Sequence, residues 1–258
     1  MSSKNLVETA KELAAFSAVE KHVTKDIRVL GVGSGSTVVY AINKLKELLE
    51  KGQLSPDLVC IPTSFQSRGL IVDAGLRLGD LDENPDIDIT IDGADEVDSK
   101  LNAIKGGGAA HLREKVVASA SKRLILIADY RKDSAVLGEQ WTKGVPVEVT
   151  PFAYKAVERK ITELHHKNSF QGASASSAAF EFTNPVVILR PAVNKAGPVV
   201  TDNGNFVFDV KLGKIHDPAS VETVLKMIPG VVEVGIFSNM AEEAWFGKED
   251  GTAYCRSL

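Results

Sequence analysis

Apolar positions recur along this chain with two periods, and the spacing of the turns between them divides it into two regions. Over residues 5–23, Leu6, Ala10, Leu13, Ala14 and Val19 fall at helical spacing and predict an amphipathic helix. A short apolar run from Ile27 to Val32 ends in glycines, the pattern of a buried strand before a turn. The same reading predicts a helix over Val38–Glu50, a strand over Leu58–Ile61 and a helix over Ser64–Ala74. Strands follow over Leu76–Leu78 and Ile87–Ile91, then a helix over Ala109–Ala120 and a strand over Leu124–Ala128. Strands alternating with helices predict parallel βαβ units.

Beyond residue 137 the pattern changes. Val145–Val149, Pro185–Leu189, Val199–Lys211 and Val231–Phe237 read as strands, and Ala153–His165 and 219–228 as helices. Asp202-Asn203-Gly204 interrupts one apolar run and predicts a hairpin turn there. Ser169–Ala179, rich in Ser, Ala and Gly, predicts a surface loop. The expected fold class is α/β. A Rossmann-like, doubly wound parallel sheet spans 1–137 and is rejoined by 236–258, and a second, smaller α+β (ferredoxin-like) domain spans 138–235.

Composition acts mainly by exclusion. The 258 residues are 44% hydrophobic and 25% charged, an ordinary globular balance that allows one or two domains. A net charge of −4 with no Lys/Arg-rich run argues against nucleic acid, but not against a small anion held by a few local donors. Cys60 and Cys255 form neither a disulfide framework nor a metal-ligand spacing, which suits a reducing compartment. Lys4, Glu8, Lys11 and Glu12 interrupt the N-terminal apolar residues, so no signal peptide is expected. No run approaches the ~18 apolar residues of a membrane span. The expectation is a cytoplasmic protein with no membrane partner.

Candidate chemistry gathers at predicted strand ends. Gly31-Val-Gly-Ser34-Gly35-Ser36-Thr37 follows the first strand and opens a helix. Free N–H groups at a helix start, with close-approaching glycines and the Ser34, Ser36 and Thr37 hydroxyls, make an anion site. A dinucleotide fingerprint is the rival, but Gly31-x-Gly33-x-x-Ser36 lacks the third glycine, and the second strand ends in Cys60-Ile-Pro rather than an acid. A plain connecting turn is the other alternative.

The strand ending at Ile91 runs into Asp92-Gly93-Ala94-Asp95-Glu96, where an open α/β sheet binds ligands. Two neighbouring carboxylates can split their acidities and share acid and base work, and Gly93 and Ala94 leave room for a ligand. The alternative is a solvated, helix-capping turn, which suits Glu96 and Asp98. Lys105-Gly106-Gly107-Gly108 is costly to order unless its backbone approaches a ligand, and Lys105 brings positive charge to a developing oxyanion. In the next helix Leu112, Val116, Val117 and Ala120 fill one arc, leaving Glu114 to face the glycine loops; an exposed helix-start glutamate is the plainer reading. His111 reads as surface or loop packing. Lys132, past the next strand, is either a ligand cation or simply exposed. Together these parts suit a phosphorylated sugar and proton transfer without a metal.

These motifs resemble ribose-5-phosphate isomerases of the A type, in their eukaryotic branch. The resemblance rests on the loop to Thr37, on Asp92-Gly-Ala-Asp95, on Lys105-Gly-Gly-Gly108 with Arg113-Glu114-Lys115, and on Ile127-Ala-Asp-Tyr-Arg-Lys132. Val145-Pro-Val-Glu-Val149, Asn194–Asn205 and Met227-Ile-Pro-Gly-Val231 extend it, in order, over residues 8–254. It implies aldose–ketose isomerisation through an enediolate, with Glu114 as proton acceptor and Asp92 and Asp95 at the ring oxygen and hydroxyls. Lys105 with Gly106–Gly108 would hold the enediolate oxygen, and Ser36, Thr37, Lys132 and Lys11 the phosphate. It implies no cofactor, no metal, and a homodimer or homotetramer. His111-Leu112 departs from the family's Leu-Thr, and His165–Phe182 does not match it. An amino-sugar phosphate isomerase-deaminase and a non-catalytic sugar-phosphate sensor are the competing readings.

Overall fold

The computed structural model describes residues 3–166 and 185–258. The larger sheet has strands β1 (Val29–Val32), β2 (Val59–Pro62), β3 (Arg77–Leu78), β4 (Ile89–Gly93), β7 (Leu124–Asp129), β13 (Glu243–Gly247) and β14 (Ala253–Ser257). Their spatial order is β14-β13-β7-β4-β1-β2-β3, all parallel except the edge strand β14. Every residue of β7 is buried, as expected of a parallel strand covered on both faces. The order reverses between β1 and β4, so their carboxyl ends flank the crevice where doubly wound sheets bind ligands.

Helix α1 (Ser3–His22) buries Ala10, Ala14, Ala15, Ala18 and Val19, and packs on α2 (Ser36–Glu50), β7 and β13. Small residues on this stripe let the helix lie close to the sheet, while Leu6 and Leu13 at its margins are only partly buried. Helices α3 (Phe65–Asp73) and α4 (His111–Ser119) complete the wrapping. The expected C-terminal return to this sheet is observed as β13 and β14.

The second sheet joins β8 (Val145–Val149), β9 (Val186–Leu189), β10 (Phe206–Lys211) and β11 (Val231–Val234) in the order β11-β8-β10-β9, all antiparallel. Helices α5 (Tyr154–Thr162) and α6 (Pro218–Lys226) lie between β8 and β9 and between β10 and β11 in sequence, giving the ferredoxin-like βαββαβ arrangement. Val145, Val147, Val149, Phe208 and Val210 face these helices, meeting Val157, Ile161, Val221 and Leu225. The alternate residues Glu148 and Asp209 point the other way, toward the larger layer. A third small sheet, β5 (Glu96–Val97), β6 (Ala103–Ile104) and β12 (Ile236–Phe237), links the two layers.

Two expectations are corrected. The run Val199–Lys211 is not a hairpin: only Phe206–Lys211 is a strand, paired with β8 and β9. The preceding turn instead folds around buried Glu148, whose Oε1 accepts from Thr201 Oγ1 (2.8 Å), Asn203 Nδ2 (3.0 Å) and Asn205 Nδ2 (2.9 Å). The run Val231–Phe237 is two strands in two sheets, broken at Gly235, whose N–H donates to Pro146 O (2.7 Å) and whose carbonyl accepts from Lys105 N (2.9 Å). Residues 169–179 lie outside the described residues. Cys60 and Cys255 are both free, and no described helix is long and apolar enough to cross a membrane.

Candidate active site

A cavity of about 380 Å³ opens at the carboxyl ends of β1, β4 and β7, where the two layers meet. It is bordered by Lys11, Ser34, Gly35, Ser36, Thr37, Gly93, Ala94, Asp95, Lys105, Gly106, Gly107, Gly108, Glu114 and Lys132. Of the residues given a catalytic or substrate-binding role from the sequence, only Asp92 stands back from it, fully buried beneath the floor.

The anion end is built on α2. Its N-cap is Gly35, with no side-chain cap and no acid in the first turn, so the first turn itself carries no charge that opposes an anion. Ser34 is already engaged: its N–H donates to Asp92 Oδ1 (3.0 Å), and its hydroxyl lies 2.8 Å from Thr63 Oγ1 and 2.6 Å from Ser64 Oγ. Gly35 N donates to Gln66 Oε1 (2.8 Å). Gly33 is required here, since a Cβ would lie 1.9 Å from Asp92 Oδ1. Lys11 pairs with Glu8 at 2.7 Å, and Lys132 packs its ammonium over Trp141, 5.0 Å from the ring centre. Burial pulls the Lys132 pKa below its ordinary value, outweighing the nearby Asp95 and Asp129.

The reactive end is a buried acid–lysine cluster. Lys105 Nζ lies 2.9 Å from Asp92 Oδ2 and 3.4 Å from Glu114 Oε1, and donates to Gly93 O. Asp92 Oδ1 also accepts from Gly93 N (2.7 Å), and Asp95 Oδ2 accepts from Gly107 N (2.6 Å). Glu114 Oε2 is buried without a hydrogen-bond partner among the described residues. Burial, reinforced by repulsion from Asp92, pushes the Glu114 carboxyl up to about 8 against the pull of Lys105. Burial also raises Asp92 and Asp95. Burial alone would lower Lys105, but the charges of Asp92 and Glu114 reverse this and hold it above the usual lysine range.

Two expectations change at this point and a third is narrowed. The buried stripe of α4 is His111, Glu114, Val117 and Ala118, while Val116 is exposed. Glu114 therefore lies within the buried face of the helix, not outside it, because Lys105 supplies its polar partner there. Of the two readings of His111, surface or loop packing, the second is the one observed: it is completely buried. It packs under the glycine loop, where Gly106 takes φ +98° and a Cβ would meet His111 Nδ1 at 2.6 Å. Burial drives its pKa down to about 3, keeping the ring neutral. Nor do Glu96 and Asp98 form a solvated turn. Buried Glu96 accepts from Ser134 Oγ (2.6 Å) and the N–H groups of Gly138 (2.6 Å), Glu139 (3.0 Å) and Gln140 (2.7 Å), fixing the loop after Lys132.

Ser64, Gln66, Arg131 and Asp202 also border the cavity and were not singled out in the sequence. The first three follow strand ends, so the rule that located Asp92 could have found them. Asp202 comes from the other layer, where its carboxylate accepts from Phe65 N (2.8 Å); no sequence signal announces that crossing. Among the described residues, no group of three or more His, Cys, Asp or Glu side chains is arranged to hold a metal ion.

Fold and cavity together define an α/β enzyme with a buried acid–base cluster at the topological switch point. The model of ribose 5-phosphate isomerase A (phosphoriboisomerase A) matches residues 59–251. The Homo sapiens ribose-5-phosphate isomerase is 51% identical over 255 residues, covering 99% of this chain and 75% of its own. A solved D-ribose-5-phosphate isomerase in complex with phospho-erythronic acid is 36% identical, with TM-score 0.85 and full coverage of both chains. The Plasmodium falciparum ribose 5-phosphate isomerase is 34% identical, with TM-score 0.84 over 97% of this chain and 99% of its own. This chain belongs to the ribose 5-phosphate isomerase A family.

Proposed function

We propose that this enzyme interconverts ribose 5-phosphate and ribulose 5-phosphate, with Glu114 moving the proton. The observation that carries the reading is Glu114 in the buried cluster, 3.4 Å from Lys105 and beside the triple-glycine loop. In the open-chain aldose the Glu114 carboxylate takes the C2 proton, and the C–H electrons form the C1–C2 double bond as charge moves onto O1. Lys105 and the loop N–H groups stabilise that oxyanion. Glu114 returns the proton to C1 as O2 becomes the ketone, and the O2 proton replaces the one O1 requires. Asp95 borders the cavity, so it is assigned to the sugar hydroxyls and ring opening; Asp92, beneath the floor, orients Lys105. The phosphate is assigned to the α2 N-terminus with Ser36 and Thr37, and to Lys11 and Lys132. It supplies binding energy remote from the reacting carbons.

Substitution Glu114→Gln keeps shape and removes the base, and kcat for ribose 5-phosphate is expected to fall about 10²–10⁴-fold. Near-wild-type turnover by a folded Glu114→Gln protein would overturn the assignment. Domain bounds of 1–137 with 236–258, and of 138–235, are proposed on the ground that β8–β11 fall wholly within the latter range. The family resemblance supports a cytoplasmic homodimer or homotetramer, which sedimentation equilibrium would test.

A further inference from the structure

The glycine loop is held from outside the larger layer. Arg190, just past the end of β9, points its guanidinium across to this loop. One edge of the fork is fixed by Asp209 on β10, with Nε to Oδ2 at 2.9 Å and Nη2 to Oδ1 at 2.6 Å. The remaining nitrogen, Nη1, donates to Gly106 O (3.0 Å) and Gly107 O (3.2 Å). Both side chains are largely buried, at 15% and 17% exposed, so this is a desolvated, bidentate pair and not a surface contact.

In a trans peptide the carbonyl and the next N–H point in opposite directions. Drawing the Gly106 carbonyl to Arg190 therefore turns the Gly107 N–H away from it, where it meets Asp95 Oδ2. Drawing the Gly107 carbonyl to Arg190 turns the Gly108 N–H the opposite way, and Gly108 borders the cavity. Glycines have no side chains to hold such peptide planes; the Ala109 N–H also reaches the Gly106 carbonyl (2.9 Å) and buried His111 supports Gly106 from below, whereas Arg190 spans both carbonyls.

We propose that Arg190, locked by Asp209, is a positioning residue for catalysis: it sets the peptide planes of Gly106–Gly108 so that the Gly107 N–H holds Asp95 and the Gly108 N–H is presented to the enediolate. The inference rests on the isomerase reading above and adds a residue from the second sheet to it. Arg190 touches no reacting atom, so its loss acts on the transition state more than on substrate binding, which the phosphate governs.

The test is steady-state kinetics of wild type, Arg190→Ala, Arg190→Lys and Asp209→Asn, with thermal melts to establish folding. Arg190→Ala is expected to lower kcat about 10–100-fold while KM for ribose 5-phosphate changes less than about 3-fold. Arg190→Lys keeps the charge but loses the fork, and is expected to recover only part of the loss. Added guanidinium ion is expected to restore part of the Arg190→Ala rate, and methylammonium less. An inactive wild type defeats the isomerase reading itself. An active wild type with unchanged kcat in folded Arg190→Ala, or a loss confined to KM, overturns this proposal. If Arg190→Ala does not fold, Asp209→Asn carries the same kcat-against-KM test, and an unchanged kcat there overturns it equally.

Discussion

Glu114 lacks a hydrogen bond on one carboxylate oxygen and shares a lysine with Asp92 on the other, and that arrangement sets its working range. A carboxyl pushed up to about 8 is mostly protonated in the unliganded enzyme near neutrality, whereas proton abstraction needs the carboxylate. The kcat/KM profile should therefore rise with pH on its acid limb, with a midpoint near 8 and far above the ordinary 4.5. A midpoint near 4.5 in a full pH profile would exclude Glu114 as the titrating base. Residue identity was legible because Asp92, Lys105 and Glu114 stand at strand ends or beside a costly glycine run. Side-chain direction was not. Hydrophobic periodicity assigns polar residues to the outside, and half of the buried stripe of α4 is polar. Local rules fail in this way at functional sites.

At the scale of elements, the turn at 201–205 does more than connect β9 to β10. Its Asp202 binds the start of α3, and Asn203 Oδ1 accepts from Arg113 Nε (2.7 Å) at the start of α4. Glu148 anchors the whole turn, so Glu148→Ala leaves three donors without their acceptor. A stability loss of about 1–3 kcal/mol is expected, together with reduced kcat/KM. Urea titration and ribose 5-phosphate kinetics check both, and unchanged values in both would refute the anchoring role. The long, strongly patterned elements were readable, with ends displaced by a residue or two. The two-residue strands β5 and β6 were not, because two residues show no period. The expected hairpin failed because a buried carboxylate 53 to 57 residues earlier gathers the Thr201, Asn203 and Asn205 side chains into a turn around itself.

For the molecule as a whole, the end of the larger sheet opposite the cavity carries another buried carboxylate. Glu243 accepts from Lys21 (3.0 Å), His22 (2.9 Å), Trp245 (3.0 Å) and Cys255 (3.2 Å), tying α1, β13 and β14 together. Burial raises its pKa, but these donors, led by Lys21, more than offset that and bring it down to about 2 from 4.5. A depressed carboxylate stabilises the fold fully above its unfolded value and progressively less below it. Stability should therefore fall as pH drops from about 4.5 to 2, by roughly 3 kcal/mol from this group alone. Denaturant midpoints across that window check this, and Glu243→Gln should flatten the dependence. The alternation of strands and helices made the doubly wound layer and the C-terminal return readable. The meeting of the layers was not, since Gly235, Arg190 and Asp202 act at long range. The buried acid–lysine cluster also bears on laboratory evolution. Buried ionisable groups at a cavity tax the fold, so a selection for heat resistance with no assay for turnover would favour apolar replacements on that face of α4. Its most robust survivors would be the ones that no longer work.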